Sequence, residues 1–134
     1  MAQHSTIVGG STAKRVINCP GSVALVQKMP PQPSNKYADE GTLLHNVIAD
    51  IVMTDNPPEH YLGTKYEDQV LTQELIENKL APALAALDVI DPTKKMEIEA
   101  ETRVGFGDLL PGVFGSTDLI GRVGNRAVVL DWKF

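Results

Sequence analysis

Cysteine is nearly missing from this chain: Cys19 is alone among 134 residues. An internal disulfide, a four-cysteine zinc site and a cysteine-ligated iron–sulfur cluster supplied by this chain alone are therefore excluded. No apolar run reaches the ~18 residues of a membrane helix. The start, Met1-Ala2-Gln3-His4-Ser5, has no basic stretch followed by an apolar one, so no signal peptide is read there. Internal repeats and low-complexity tracts are absent, as are a Gly-x-Ser-x-Gly elbow and a phosphate-cradling Gly-Lys-Ser/Thr loop. A cytoplasmic location follows as the expectation, with Cys19 as a small buried residue.

Acid is also absent from the first 36 residues, which hold Lys14, Arg15, Lys28 and Lys36. The remaining residues carry eight bases against 17 acids, and the whole chain has a net charge of −5. That balance argues against a protein that coats DNA phosphates with Lys and Arg. It leaves room for one that meets phosphate through divalent metal, because such a site is built from carboxylates. The basic N-terminal segment would then supply backbone contacts. Hydrophobic residues at 43% and charged residues at 22% are ordinary for a globular chain, and the length suits one domain.

Ser11 is the expected cap of a short helix through Val16 and Ile17 that stops near Cys19, ahead of Pro20. Pro20 is placed to open a second helix through Val23, Leu25 and Val26. After the stiff Met29–Ser34 connector, Ser34 or Asn35 caps the clearest helix. Leu44, Val47, Ile48, Ile51 and Val52 follow helical spacing until Asp55-Asn56-Pro57-Pro58. Thr64-Lys65-Tyr66-Glu67 matches a capping box and predicts a helix from Thr64, kinked or split at Pro82. Beyond Asp91-Pro92 the period becomes two: Met96, Ile98, Ala100, Thr102 and Val104 alternate with charged residues. A glycine-rich loop, 105–112, precedes strands over 113–123 and 126–134. The fold class predicted is α+β, with N-terminal helices followed by a three-stranded antiparallel meander.

Gly124-Asn125 suits a two-residue hairpin turn. Val123 then faces Arg126 and, counting outward, Asp118 faces Asp131. Two carboxylates so placed repel, so a cation or a proton must compensate. Lys133 shares a face with Asp131. The 126–134 strand is otherwise apolar and reads as a central strand covered on both faces, which makes these charges costly. The plainer alternative puts Asp131 and Lys133 at a solvated strand end, with Asp118 in an edge turn. His45 lies beside the apolar stripe of its helix, about 60° from Ile48. Gly41, one turn back, leaves its flank uncovered. A metal ligand and a core-boundary histidine bonded to backbone are both compatible with that position.

Glu40-Gly41-Thr42-Leu43-Leu44-His45, Gly115-Ser116-Thr117-Asp118 and Leu130-Asp131-Trp132-Lys133 together resemble the PD-(D/E)XK nuclease superfamily. The likeness is to its RecB-like exonuclease branch and phage-encoded relatives. Val16-Ile17-Asn18-Cys19-Pro20-Gly21-Ser22 is similar to the N-terminal segment of that branch. The resemblance covers about residues 11–134 and implies a restriction-endonuclease-like core. It implies His45, Asp118 and Asp131 as ligands of Mg²⁺ or Mn²⁺, joined by the Trp132 carbonyl. Asp118, Asp131 and Lys133 would be catalytic, with Lys133 orienting the attacking water. Glu40 and Glu101 would take outer-sphere or substrate-side roles, or else simply face solvent. The implied activity is hydrolysis of DNA phosphodiesters, of exonuclease type, in DNA processing or recombination, within a bacterial host cell if the protein is phage-encoded.

The resemblance also implies a further helix and strand after the catalytic lysine. The 134 residues therefore read as one nuclease-like domain cut short after its catalytic strand, with a second chain as one candidate for completing it. A nuclease-derived module that binds DNA or a partner protein without cutting is the alternative. No membrane partner is expected.

Overall fold

The structure, a computed structural model, describes residues 4–134. The chain forms two compact units. One comprises the residues up to Pro33 together with Glu101–Thr117, the other Ser34–Ala100 together with Asp118–Phe134.

In the first unit, α1 spans Ala13–Asn18 and α2 spans Ser22–Gln27. Thr12, not Ser11, precedes α1, and its hydroxyl turns back to accept the Gly9 N–H at 2.9 Å. Cys19 leaves the helix at φ −145°, the extended geometry that Pro20 requires of its predecessor. Pro20 itself sits in the turn, so α2 begins only at Ser22. Cys19 is exposed, contrary to expectation, at the point where α1 ends and the chain turns toward Pro20. Ser5 donates its hydroxyl to the Gly112 carbonyl at 2.6 Å.

The second unit is organised by α3, Lys36–Thr54. Asn35 caps it by accepting the Ala38 N–H at 2.9 Å, and Asp55 ends it in the left-handed region, φ 57°. Its apolar stripe buries Leu43, Leu44, Val47, Ile48 and Ile51, with Val52 partly covered.

The helix predicted from Thr64 does not form there. Lys65–Tyr66 (β1) pairs antiparallel with Gln69–Val70 (β2) around Glu67, which takes φ 51°. The helical segment starts after Thr72, whose hydroxyl accepts the Leu75 N–H at 3.3 Å. It runs as α4, Gln73–Leu75, a π-helical turn, Ile76–Leu80, and α5, Ala81–Ile90. The wide turn falls immediately before Pro82. Proline has no N–H for the carbonyl four residues back and its ring crowds that carbonyl, so the split expected there takes the form of a π turn.

Asp91 then accepts the Lys95 and Met96 N–H groups at 3.2 and 3.0 Å and steers the chain into the sheet. Strands β3 (Glu97–Gly105), β4 (Phe114–Val123) and β5 (Arg126–Leu130) form a three-stranded antiparallel sheet in the order β3-β4-β5. The predicted alternation holds over Ile98, Ala100 and Thr102, but Val104 is exposed. The β4–β5 register runs from Val123 opposite Arg126 to Leu119 opposite Leu130, as read from the turn. Gly124 supplies the positive φ, 54°.

Two strand expectations are corrected. The last strand ends at Leu130, not at 134, and the central strand is β4. As an edge strand β5 leaves Val129 71% exposed. Leu71, Ile76, Leu80, Met96, Leu119 and Trp132 complete the core of the second unit against α3. Among the described residues no helix is long and apolar enough to cross a membrane.

Candidate functional site

α3, β4 and the run that follows β5 each contribute to one cluster in the second unit. His45 follows the buried pair Leu43 and Leu44, so it stands at the edge of the stripe facing the core. The edge of its ring meets Phe134, with centroids 5.0 Å apart and planes at 75°. A Cβ added at Gly41 would meet nothing within 4 Å, so the flank one turn back is open as expected.

Asp118 lies one position outside Leu119 on β4, and Asp131 one position beyond Leu130 on the opposing run. The ladder stops there. In its place the Trp132 N–H donates to Asp118 Oδ2 at 2.7 Å. Trp132 is itself fixed, since its ring is buried and its indole N–H donates to the Ala83 carbonyl at 3.3 Å.

The other Asp118 oxygen, Oδ1, lies 3.3 Å from His45 Nδ1 without hydrogen-bond geometry. That nitrogen is fully buried and has no hydrogen-bond partner among the described residues. The bland reading of His45, bonded to backbone, is therefore not realised at Nδ1. Asp131 is ion-paired with Lys133, whose side chain remains largely in solvent.

The two carboxyls titrate apart. Burial pushes Asp118 up, against the lowering effect of the Trp132 N–H and of His45, and the neighbouring Asp131 raises it further. The Lys133 ammonium holds Asp131 below the usual carboxylate range. Lys133 is raised in turn by Asp131. The repulsion anticipated between facing carboxylates is thus met by a cation beside Asp131 and by a raised affinity for a proton at Asp118.

The structure brings together His45, Asp118, Asp131, Trp132 and Lys133. Glu40 is half-buried on α3 and makes no hydrogen bond or ion pair with them among the described residues. Glu101 belongs to the first unit, is exposed and takes φ 50°. Among the described residues no three His, Cys, Asp or Glu side chains form a ready-made metal-binding group. The carboxylate oxygens nevertheless suit a hard divalent cation, and the imidazole nitrogen beside them favours the softer end of that range. Sequence reasoning missed two supports, the Phe134 ring against His45 and the Ala83 carbonyl under Trp132. Neither has a local signal, since Ala83 is remote in sequence and carries no polar side chain.

No curated protein and no solved structure matches this chain. The family described as Protein of unknown function (DUF2800) matches residues 4–134, and the chain belongs to that family.

Proposed function

We propose that this protein is a divalent-metal-dependent DNA nuclease of PD-(D/E)XK type, with a restriction-endonuclease-like core and exonuclease-like activity. One observation carries the reading: the buried, unpartnered His45 Nδ1 stands 3.3 Å from Asp118 Oδ1, in a cluster that also holds Asp131 and Lys133. An unbonded nitrogen buried beside a carboxylate costs stability until a metal ion or a proton takes its lone pair. His45, Asp118 and Asp131 would hold Mg²⁺ or Mn²⁺, with the Trp132 carbonyl as a further ligand. Bound there, the metal would polarise the scissile phosphate and acidify a water.

The chain's own residues have separable tasks. Asp118 is oriented by the Trp132 N–H, so one oxygen is committed to the fold and the other is directed toward His45. Lys133 pairs with Asp131 from a largely solvated position, and an exposed pair is held weakly. Its ammonium can therefore turn to a phosphate oxygen and offset charge that builds there.

The test is thermal unfolding with and without Mn²⁺, followed by digestion of linear DNA. Metal that binds only the native state raises stability by about 2.7 kcal/mol at a hundredfold excess over Kd. Mn²⁺ should raise the parent's midpoint and leave Asp131→Asn unmoved, while Lys133→Ala should bind metal without cutting. Cleavage that survives both Asp131→Ala and Lys133→Ala overturns the assignment. The exposed bases Lys14, Arg15, Lys28 and Lys36, in a segment without acids, favour one second reading, a non-cutting module that binds DNA or a partner protein. That reading predicts binding indifferent to Asp118 and Asp131.

A further inference from the structure

The first unit contains an apolar cleft of about 360 Å³, in the size range of small-molecule sites. Gly9, Gly10, Gly105, Phe106, Phe114 and Gly115 line most of it. Its backbone walls are close: a Cβ at Gly115 would lie 3.8 Å from the Gly10 nitrogen, and one at Gly105 would lie 3.3 Å from the Val113 carbonyl. Phe106 is 59% exposed. The Arg103 guanidinium lies over the Phe114 ring, 3.5 Å from its centroid.

Charge separates this unit from the rest of the chain. It holds Lys14, Arg15, Lys28 and Arg103 against two acids, Glu101 and Asp108, whereas the second unit holds eight bases against 15 acids. Lys14 and Arg15 follow Ala13, which lines the cleft, and both are exposed. An occupant complementary to these features is flat and apolar in its centre and anionic at its margins.

We propose that the cleft holds an unpaired base of a single DNA strand, with Lys14, Arg15 and Arg103 meeting the flanking phosphates. Aromatic faces beside a basic surface are the means by which single strands are held. A duplex keeps its bases stacked inside and cannot offer one without extrusion. The inference stands apart from the hydrolytic reading, because binding is measured without metal and without cleavage.

The experiment is fluorescence anisotropy of the full chain in EDTA with a labelled oligothymidylate of about a dozen nucleotides. An abasic strand of the same length and a blunt duplex are compared with it. The parent should prefer the oligothymidylate to both. Gly10 lines the cleft, has an ordinary φ, and a Cβ there meets nothing within 4 Å, so Gly10→Leu adds bulk to the cleft wall without straining the backbone. It should weaken oligothymidylate binding about tenfold, the size of one lost base stack, and leave abasic binding unchanged. Phe106→Ala is the second variant and should behave alike if Gly10→Leu fails to fold. Equal affinity of the parent for oligothymidylate and abasic strand overturns the proposal, as does equal affinity for duplex.

Discussion

The Trp132 amide donates to Asp118 Oδ2 at 2.7 Å, so a carboxylate takes over where the β5 ladder stops. This bond gives Asp118 a structural task beside its proposed role as a metal ligand, and two substitutions separate the two. Asp118→Asn keeps an oxygen for the Trp132 N–H and should stay near parental stability while losing any Mn²⁺-dependent rise in melting temperature. Asp118→Ala strands the N–H and should cost about 1–3 kcal/mol in denaturant unfolding. Equal stabilities of the two variants would show that the bond contributes nothing.

His45 tests the other oxygen of Asp118. His45→Ala removes the unpartnered Nδ1 and leaves the Trp132 bond in place. The variant should unfold cooperatively, yet a Mn²⁺ titration followed by thermal unfolding should show no shift. An undiminished shift would remove His45 from the ligand set.

The Asp131–Lys133 pair should be visible in the pH dependence of stability. Lys133 holds the Asp131 carboxyl low, and a depressed carboxyl stabilises the fold above its unfolded value of 3.8, an effect lost as pH falls through the folded value. Asp118 is raised by burial and works oppositely, its ionisation costing stability as pH rises through the raised value. Lys133→Met removes the effect on Asp131. The melting-temperature gap between parent and variant should therefore be widest near neutrality and close in strong acid. Both side chains are well exposed, so the gap should correspond to no more than about 1 kcal/mol. A gap that widens in acid would contradict the pairing.

Gly121 faces Met96 in the core. A Cβ there would overlap Met96 Sδ and stand 2.6 Å from its Cε. Gly121→Ala should lose about 1–3 kcal/mol by overpacking. Combined with Met96→Ala it should lose less than the two single losses together, as a double-mutant cycle by thermal denaturation will show.

The parts of this architecture legible in advance rest on local chemistry. The Gly124-Asn125 turn determines its own register, and from it the neighbourhood of Asp118 and Asp131 follows by counting. Asn35 and Pro82 likewise act on the residues beside them. The misreadings arise where a short pattern serves two structures. Thr64-Lys65-Tyr66-Glu67 has the spacing of a helix cap, but Glu67 adopts a left-handed turn and Tyr66 pairs with Gln69. The apolar run after Arg126 reads as one long strand, yet the Asp118 carboxylate takes the Trp132 N–H and ends it early. Of the site, residue types and approximate placement were readable. The packing of Phe134 on His45 and the anchoring of Trp132 at Ala83 were not, because both depend on segments brought together only by folding.

The two-residue turn at Gly124 acts as a ruler for the carboxylates. Paired strands leave no slack between Asp118 and Asp131, so their meeting depends on the number of residues between them. A single insertion or deletion in that turn would set a different neighbour against Asp118 and swing alternate side chains to the opposite face. A chain of this architecture that changes the β4–β5 interval by a residue therefore gives up its pair of acids.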